Sequence, residues 1–537
     1  MLGLMQGNQL TTLMLLERLE ERFIHKTVVT GPYPRRTEAR YGDVAARARR
    51  LGGVLDQLQV PPFARVGTLG FNCQEHLELY LAVPSTSRVL HTLNHRLSSE
   101  DLRYIINDAA DDVIFVARSL LDVLWPVIDE IPTVRHIVVI NDGAEVLLPE
   151  DPRLADYDSL LAAAPAVQPQ APNERSAAVL CYTSGTTGRP KGVLYDHRSI
   201  ILHAMSHLFV DSFGLREADV VMPIVPMFHA NAWGLPYAAC LSGSSLVLPG
   251  RSTDPGRLAE LFDKEKVSVS AAVTTVWRTL LPHLRGLDLP HLRTLANGGG
   301  PLPVELSREY LDTVKVPITG TWGMTEASPT LTTARSGSAQ RADTPVDLHQ
   351  LSAPGYPNPL VRLRLMREDG SLAAHDGVQS GELQVTGSTV ASSYFGANPG
   401  TDSFTSDGWL RTGDVGIIDP DGCVHVVDRL KDLIKSGGEW IGSAELENAI
   451  MAHPGVYEAA VIARPDEKWG ERPVAYVVVH EGHLLTAQAV RDYLGERVAR
   501  WWIPDEIMLV EDIPKTATGK ISKKHLRELH SAAVLGT

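Results

Sequence analysis

Through roughly the first 430 residues, short apolar runs alternate with amphipathic stretches. The runs Val113-Ile-Phe-Val116, His136-Ile-Val-Val-Ile140, Ala177-Ala-Val-Leu-Cys-Tyr182 and Ser245-Leu-Val-Leu248 have the length and side chains of buried strands. Stretches such as Asp254 to Lys264 carry a helical period. That rhythm predicts βαβ units and largely parallel sheets, an α/β fold. From Gly355 to Asp428 the rhythm changes to closely spaced strands, Val361 to Met366, Gly381 to Thr386 and Cys423 to Val427, punctuated by Asp-Gly pairs. Such spacing predicts antiparallel hairpins and a small β-rich subdomain. Beyond Arg429 a helix opening at Ser443, strands at Glu458 to Ala463 and Val474 to His480, and a helix opening at Thr486 make a compact α+β unit. Ser443 and Thr486 are expected N-caps, and Pro454 with Gly455 stops the first of these helices.

At 537 residues the chain exceeds the size at which one hydrophobic core stops growing, so at least two domains are expected. Apolar residues at 44% and charged residues at 21% exclude disorder, collagen-like repeats and a long coiled coil. A net charge of −14 disfavours a nucleic-acid or anionic-membrane partner, which basic patches would have to bind. Cys73, Cys181, Cys240 and Cys423 are scattered, without metal-knuckle spacing, and read as reduced, mostly buried thiols of a cytoplasmic protein. Met1 to Phe23 reads as an amphipathic helix docked on the body, since Glu17, Arg18, Glu20, Glu21 and Arg22 interrupt its apolar positions. No stretch approaches the length of a membrane span. The Ala- and Pro-rich stretch Leu160 to Pro172 reads as a surface linker, and no internal repeat is legible.

The strongest chemical signal is Thr183-Ser-Gly-Thr-Thr-Gly-Arg-Pro-Lys-Gly192, directly after a predicted buried strand. Gly185 and Gly188 allow close backbone approach to phosphate oxygens. Ser184, Thr186 and Thr187 offer hydroxyl donors, and Lys191 adds positive charge. By composition this is a phosphate cradle. It is not the P-loop of nucleotide triphosphatases, because no hydroxyl follows Lys191 and Pro190 precedes it.

The loop resembles the phosphate loop of the adenylate-forming superfamily, which includes acyl-CoA synthetases, luciferases and the adenylation domains of peptide synthetases. Val89-Leu-His-Thr-Leu-Asn94, Pro226-Met-Phe-His-Ala-Asn-Ala-Trp233 and Lys435-Ser-Gly-Gly-Glu-Trp440 are most similar to medium- and long-chain fatty acyl-CoA synthetases. The resemblance covers nearly the whole chain. It implies an N-terminal adenylation domain over residues 1–429, built of two doubly wound sheet subdomains plus the β-rich one, and a mobile C-terminal domain over residues 430–537. Trp322-Gly-Met-Thr-Glu326 resembles the motif whose aromatic residue stacks on adenine, whose Thr contacts phosphate and whose Glu holds Mg²⁺. Trp322 stands where Tyr is usual, so stacking survives and the phenol hydroxyl is lost. Thr412-Gly-Asp414 and Asp428-Arg-Leu-Lys-Asp432 resemble the motifs in which Asp414 and Arg429 bind the ribose and Lys431 is the hinge. Pro514-Lys-Thr-Ala-Thr-Gly-Lys520 resembles the loop bearing the catalytic lysine, whose ammonium offsets charge in the transition state.

On this resemblance Lys520, Thr186 and Glu326 are catalytic, and Glu326 is the metal ligand. Thr183 to Gly188, Lys191, Gly298, Gly299, Gly300, Trp322, Gly323, Thr325, Asp414 and Arg429 bind ATP. His229 and Trp233 line the acid pocket, and Gly437 and Gly438 the coenzyme A tunnel. Lys523 and Lys524 read as a solvated run, and Lys515 as a less critical residue. The chain departs from the pattern at Gly298-Gly-Gly-Pro-Leu302, where small residues are usual; Pro301 and Leu302 are expected to narrow the acid pocket. The implied reaction uses ATP, Mg²⁺, CoA and a small carboxylic acid, and the oligomeric state stays open, a homodimer being one option. A rival reading keeps the adenylation but activates another oxyacid, such as an aromatic acid or nitrite, and transfers it to an amine. A second rival is a catalytically silent binding protein, which the joint presence of Lys191, Glu326, Asp414, Arg429 and Lys520 opposes.

Overall fold

The computed structural model describes residues 3–31, 35–183, 189–335, 346–396, 403–437, 439–515 and 521–535. Two large, mostly parallel sheets carry the N-terminal part. The first has seven strands in the order Leu154–Asp156, His136–Ile140, Asp111–Ala117, Arg65–Leu69, Val89–Thr92, Ala177–Tyr182 and Gly192–Asp196, with only the last pair antiparallel. The second has nine, in the order Tyr356–Pro357, Thr330–Thr333, Ile318–Gly323, Thr294–Asn297, Val269–Ala272, Val220–Pro223, Ser245–Leu248, Thr27–Thr30 and Thr37–Arg40. Its six central strands are parallel.

The two sheets are wound alike. Counting from Arg65–Leu69 in the first sheet and from Val220–Pro223 in the second, the chain lays down a central strand, adds the next on one side, and then returns to add three more on the other. Nothing in the sequence repeats, so the likeness lies in topology alone; right-handed crossovers leave few other solutions for a doubly wound sheet. Such winding opens a crevice beyond the carboxyl ends of the strands, at the point where the order reverses.

The predicted strands at 136–140, 177–182 and 245–248 form with those bounds, and the helix of the 254–264 stretch forms as Pro255–Lys264, capped by the Asp254 side chain. The N-terminal helix runs over Thr12–Glu21 and buries Leu13, Leu15, Leu16 and Leu19. The stretch from Leu160 is not all linker: Leu160 to Ala163 close the helix Tyr157–Ala163, and Val167 N donates to Arg49 O. All four cysteines are free, and all but the half-buried Cys73 are buried.

The β-rich subdomain is an antiparallel sheet of Val361–Met366, Ser380–Gly387, Leu410–Ile418 and Val424–Arg429. The small C-terminal domain follows, with strands Ile434–Ser436, Glu439–Ile441, Val456–Asp466, Gly470–Val479 and Glu506–Leu509 under the helices Ser443–Met451, Ala487–Gly495 and Lys523–Leu535. Thr486 caps its helix as expected, accepting from Ala489 N. Ser443 does not: Gly442 is the N-cap, and Ser443 is the first helical residue. The capping oxygen comes instead from Asp428, whose Oδ2 accepts from Ser443 N at 2.5 Å. Among the described residues no helix is long and apolar enough to cross a membrane.

Candidate active site

Four neighbouring parallel strands of the nine-stranded sheet end close together, three of them in segments singled out by sequence. Beyond Val220–Pro223 come His229 and Trp233, beyond Val269–Ala272 comes Thr274, beyond Thr294–Asn297 come Gly298 to Leu302, and Ile318–Gly323 ends in Trp322 and Gly323. The other large sheet contributes Thr183, directly after Ala177–Tyr182. Thr183 N donates to Lys191 O at 2.9 Å and so closes the base of the predicted phosphate loop. Ser184, Gly185, Thr186, Thr187, Gly188, Gly438 and Lys520 lie outside the described residues.

Asp414 and Arg429 come together through sheet register. They are direct partners across the antiparallel pair Leu410–Ile418 and Val424–Arg429, and Arg429 Nε lies 2.6 Å from Asp414 Oδ1. The buried Asp414 carboxylate meets a second donor from another sheet, Trp322 Nε1, at 2.8 Å from Oδ2. The residue that replaces the usual tyrosine therefore supplies its own polar contact. A carboxylate held from both oxygens in this way is the kind of acceptor a cis-diol takes.

Glu326 follows in the 3₁₀ turn Thr325–Ala327, and both Thr325 and Glu326 are buried. Tyr195 donates its hydroxyl to Thr325 O at 2.5 Å, and Ala391 N donates to Glu326 O at 2.8 Å. Tyr394, which sequence reasoning passed over, donates to Glu326 Oε1 at 2.7 Å. Among the described residues no Lys, Arg or His makes an ion pair with Glu326. A buried carboxylate without a cationic partner fits a metal ligand, since buried charges are paired or coordinate metals. The described residues hold one grouping of three metal-ligand side chains, Asp419, Cys423 and His425. It lies at the far hairpin of the β-rich sheet, and Asp419 and His425 already bond each other at 2.7 Å.

Trp233 is buried and lies within a run of positive φ from Ala230 to Gly234. His207 Nε2 lies 2.7 Å from Trp233 O and holds the turn from behind. The indole comes close to Gly298: a Cβ there would sit 2.7 Å from Trp233 Cη2 and 2.6 Å from Thr321 Oγ1. His229 is half-buried on the same segment. Gly299 is half-buried, and Gly300 faces open space. Pro301 is exposed, its carbonyl accepting from Thr274 Oγ1 at 2.7 Å. Leu302 turns away into the apolar cluster of Trp277, Leu306 and Tyr310, a different cluster from that of Trp233.

In the C-terminal domain Gly437 has φ +63°, and a Cβ there would lie 2.9 Å from the Trp469 ring. It borders a cavity of about 400 Å³ lined by Ser436, Trp469, Arg472, Trp501 and Asp505. Burial is the main influence on Lys431 and lowers its pKa from the ordinary lysine value. Lys523 is no solvated residue: its ammonium contacts Glu447 at 2.7 Å and Ser443 Oγ at 2.5 Å, beside Asp428. The expected solvated run holds for the exposed Lys524 and fails for Lys523, because the terminal helix turns Lys523 inward, onto three groups brought from far along the chain.

The groups around Trp322, Glu326 and Asp414, brought together from three sheets, suit a nucleotide and an acid bound side by side. A family model of the AMP-binding enzymes matches residues 16–395, and the model of the AMP-binding enzyme C-terminal domain matches residues 445–520. The chain belongs to the AMP-binding enzyme family. A long-chain-fatty-acid–CoA ligase of Thermus thermophilus is similar to it, with 44% identity covering 98% of this chain and 96% of the relative. A 3-methylmercaptopropionyl-CoA ligase of Ruegeria lacuscaerulensis is 40% identical, covering 93% of each. The crystal structure of an anthranilate CoA ligase in complex with anthranoyl-AMP superposes with a TM-score of 0.87 at 25% identity, covering 98% of both chains. This member of the family is an enzyme, an AMP-forming ligase of the acyl-CoA synthetase type that uses ATP and CoA. The amine-transfer alternative gains no support from these relatives.

Proposed function

We propose that this ligase activates a linear aliphatic carboxylic acid. Its carboxylate attacks the α-phosphorus of ATP to give acyl-AMP and pyrophosphate, and the thiol of coenzyme A then displaces AMP. One observation carries the choice of acid: Trp233 belongs to an apolar cluster that runs on through Met227, Ala232 and Tyr237, so a tail taking the place of the indole enters hydrocarbon surroundings. The similarity to the long-chain and methylmercaptopropionyl ligases agrees, since both of those act on unbranched acids.

In this reading Trp322 stacks on adenine, Asp414 with Arg429 takes the ribose hydroxyls, and Thr183 to Gly188 with Lys191 and Thr325 bind the phosphates. Gly298, Gly299 and Gly300 leave the backbone open to adenine. Glu326 would hold Mg²⁺, which when bound neutralises charge on the phosphate oxygens. Thr186 and Lys520 stabilise the charge that builds in the adenylation transition state. Residues 430–537 then turn on Lys431 against residues 1–429, which withdraws Lys520 and brings Gly437 and Gly438 to the path of the pantetheine arm. The cavity beside Gly437 supports this use, because Trp469 and Trp501 offer ring faces and Arg472 a charge.

A pyrophosphate-release assay over linear acids of rising length, with and without coenzyme A, tests the reading. Each methylene buried behind Trp233 is worth about 0.8 kcal/mol, or roughly fourfold in kcat/KM, until the pocket floor is met. Rates are expected to climb with length to one maximum and to need coenzyme A for turnover. Preference for aromatic acids over every linear one would overturn the proposal.

A further inference from the structure

Tyr394 stands at the meeting point of two chemical motifs and belongs to neither. The backbone ties its segment to both: Ala391 N donates to Glu326 O, and Phe395 N donates to Gly192 O, each at 2.8 Å. Ser328 Oγ donates to Thr389 O at 2.9 Å, and the Phe404 ring packs edge-on against Tyr394 at 5.6 Å between centroids. So held, the phenol donates to Glu326 Oε1 at 2.7 Å and also has the Ser403 side chain within hydrogen-bond reach. Its ring face carries Lys191 Nζ at 4.7 Å from the centroid, within cation–π reach.

We propose that Tyr394 is a positioning residue for adenylation: its hydroxyl aims the Glu326 carboxylate at the divalent cation, and its ring steadies Lys191 at the mouth of the phosphate loop. The inference rests on the reading of Glu326 as the metal ligand. A hydrogen bond to Oε1 fixes the rotamer of the carboxylate and leaves Oε2 as the coordinating oxygen. Partners of this kind behind a metal ligand commonly govern metal affinity by 10- to 100-fold. A purely structural tyrosine would need neither the bond to Glu326 nor the ring under Lys191, because Phe404 and the backbone bonds already anchor the segment.

Mn²⁺ binding, followed by electron paramagnetic resonance with a non-hydrolysable ATP analogue present, separates the possibilities in the full-length enzyme. Four variants are compared with the unmodified protein: Tyr394→Phe, Tyr394→Leu, Glu326→Gln, and Tyr394→Phe with Glu326→Gln. Tyr394→Phe keeps the ring and is expected to weaken Mn²⁺ about tenfold, with nucleotide affinity and the ligand-free melting temperature unchanged. Tyr394→Leu removes the ring as well, and nucleotide affinity falls too. The double variant should bind Mn²⁺ no more weakly than Glu326→Gln alone, since the hydroxyl acts through the carboxylate. If Glu326→Gln loses Mn²⁺ but Tyr394→Phe binds it as the unmodified protein does, the role of Tyr394 is refuted and Glu326 stands. If Glu326→Gln binds Mn²⁺ unchanged, the reading of Glu326 itself is refuted. If a variant does not fold, the Mg²⁺ dependence of adenylation by the other Tyr394 variant decides, an unshifted half-saturation refuting the inference.

Discussion

At the scale of single residues, Asp414 shows how a site is built from partners that local sequence does not foretell. Its match to a ribose-binding motif is legible in Thr412-Gly-Asp414, and a carboxylate is the natural acceptor for a cis-diol. That Trp322 donates to it is not legible, because the two lie 92 residues apart and belong to different sheets. Sequence reasoning counted the tyrosine-to-tryptophan change as the loss of a hydroxyl, whereas the indole N–H donates to the Asp414 carboxylate. Trp322→Phe keeps a stacking face and loses only that donor. Hydrogen bonds to charged groups contribute about 1.5–3 kcal/mol, so the KM for ATP is expected to rise by roughly one order of magnitude or more. Steady-state kinetics in ATP checks it, and an unchanged KM would count against the bond. Gly298 offers a second test. A methyl group at Gly298→Ala meets the Trp233 indole and Thr321 Oγ1 well inside contact distance, so the indole has to move. The expected outcome is a shifted acid-length optimum, and an optimum that stays where it was would remove Gly298 from the pocket wall.

Among the secondary-structure elements, period and composition foretold most strands and helices, because each buries a face of its own. They failed where an element borrows its cap from elsewhere. Ser443 looks like an N-cap by residue type, yet Asp428 takes that role from the strand before the hinge. The elements also carry buried imidazoles that composition alone would leave exposed. His76 on the helix Gln74–Ser85, His95, His197 at the start of its helix and His207 at the end of the same helix are each lowered by burial to about 4. Their unfolded values are near 6.5, so between those limits the unfolded chain binds more protons than the folded one. Stability contributed by the neutral imidazoles is therefore complete above about pH 6.5 and is lost as pH falls toward 4. Urea midpoints should drop between pH 7 and pH 5, and His207→Gln should flatten that drop. Midpoints equal at the two pH values would show that the four rings titrate freely in the folded protein.

For the whole molecule, the division of labour between two half-reactions is the main expectation. Lys520→Ala is expected to slow adenylation by on the order of 10²–10³, the usual effect of removing one electrostatic stabiliser, while chemically supplied acyl-AMP is still converted with coenzyme A. Rapid-quench measurement of each half-reaction decides it, and wild-type adenylation in the variant would remove Lys520 from the mechanism. The sequence by itself determined the fold class, the order of the motifs and the kind of chemistry. Strand periods, a glycine- and hydroxyl-rich loop and a carboxylate after Trp322-Gly-Met-Thr are properties of short stretches, and short stretches keep their chemistry wherever the chain takes them. The tertiary structure alone decided which groups meet. It turned Leu302 into the core behind the sheet, laid Trp233 on Gly298, buried Lys523 against Glu447 and set Tyr394 between Glu326 and Lys191. Those pairings depend on the winding of separate sheets around a common cleft, and contact across such distances is set by packing and not by local propensity.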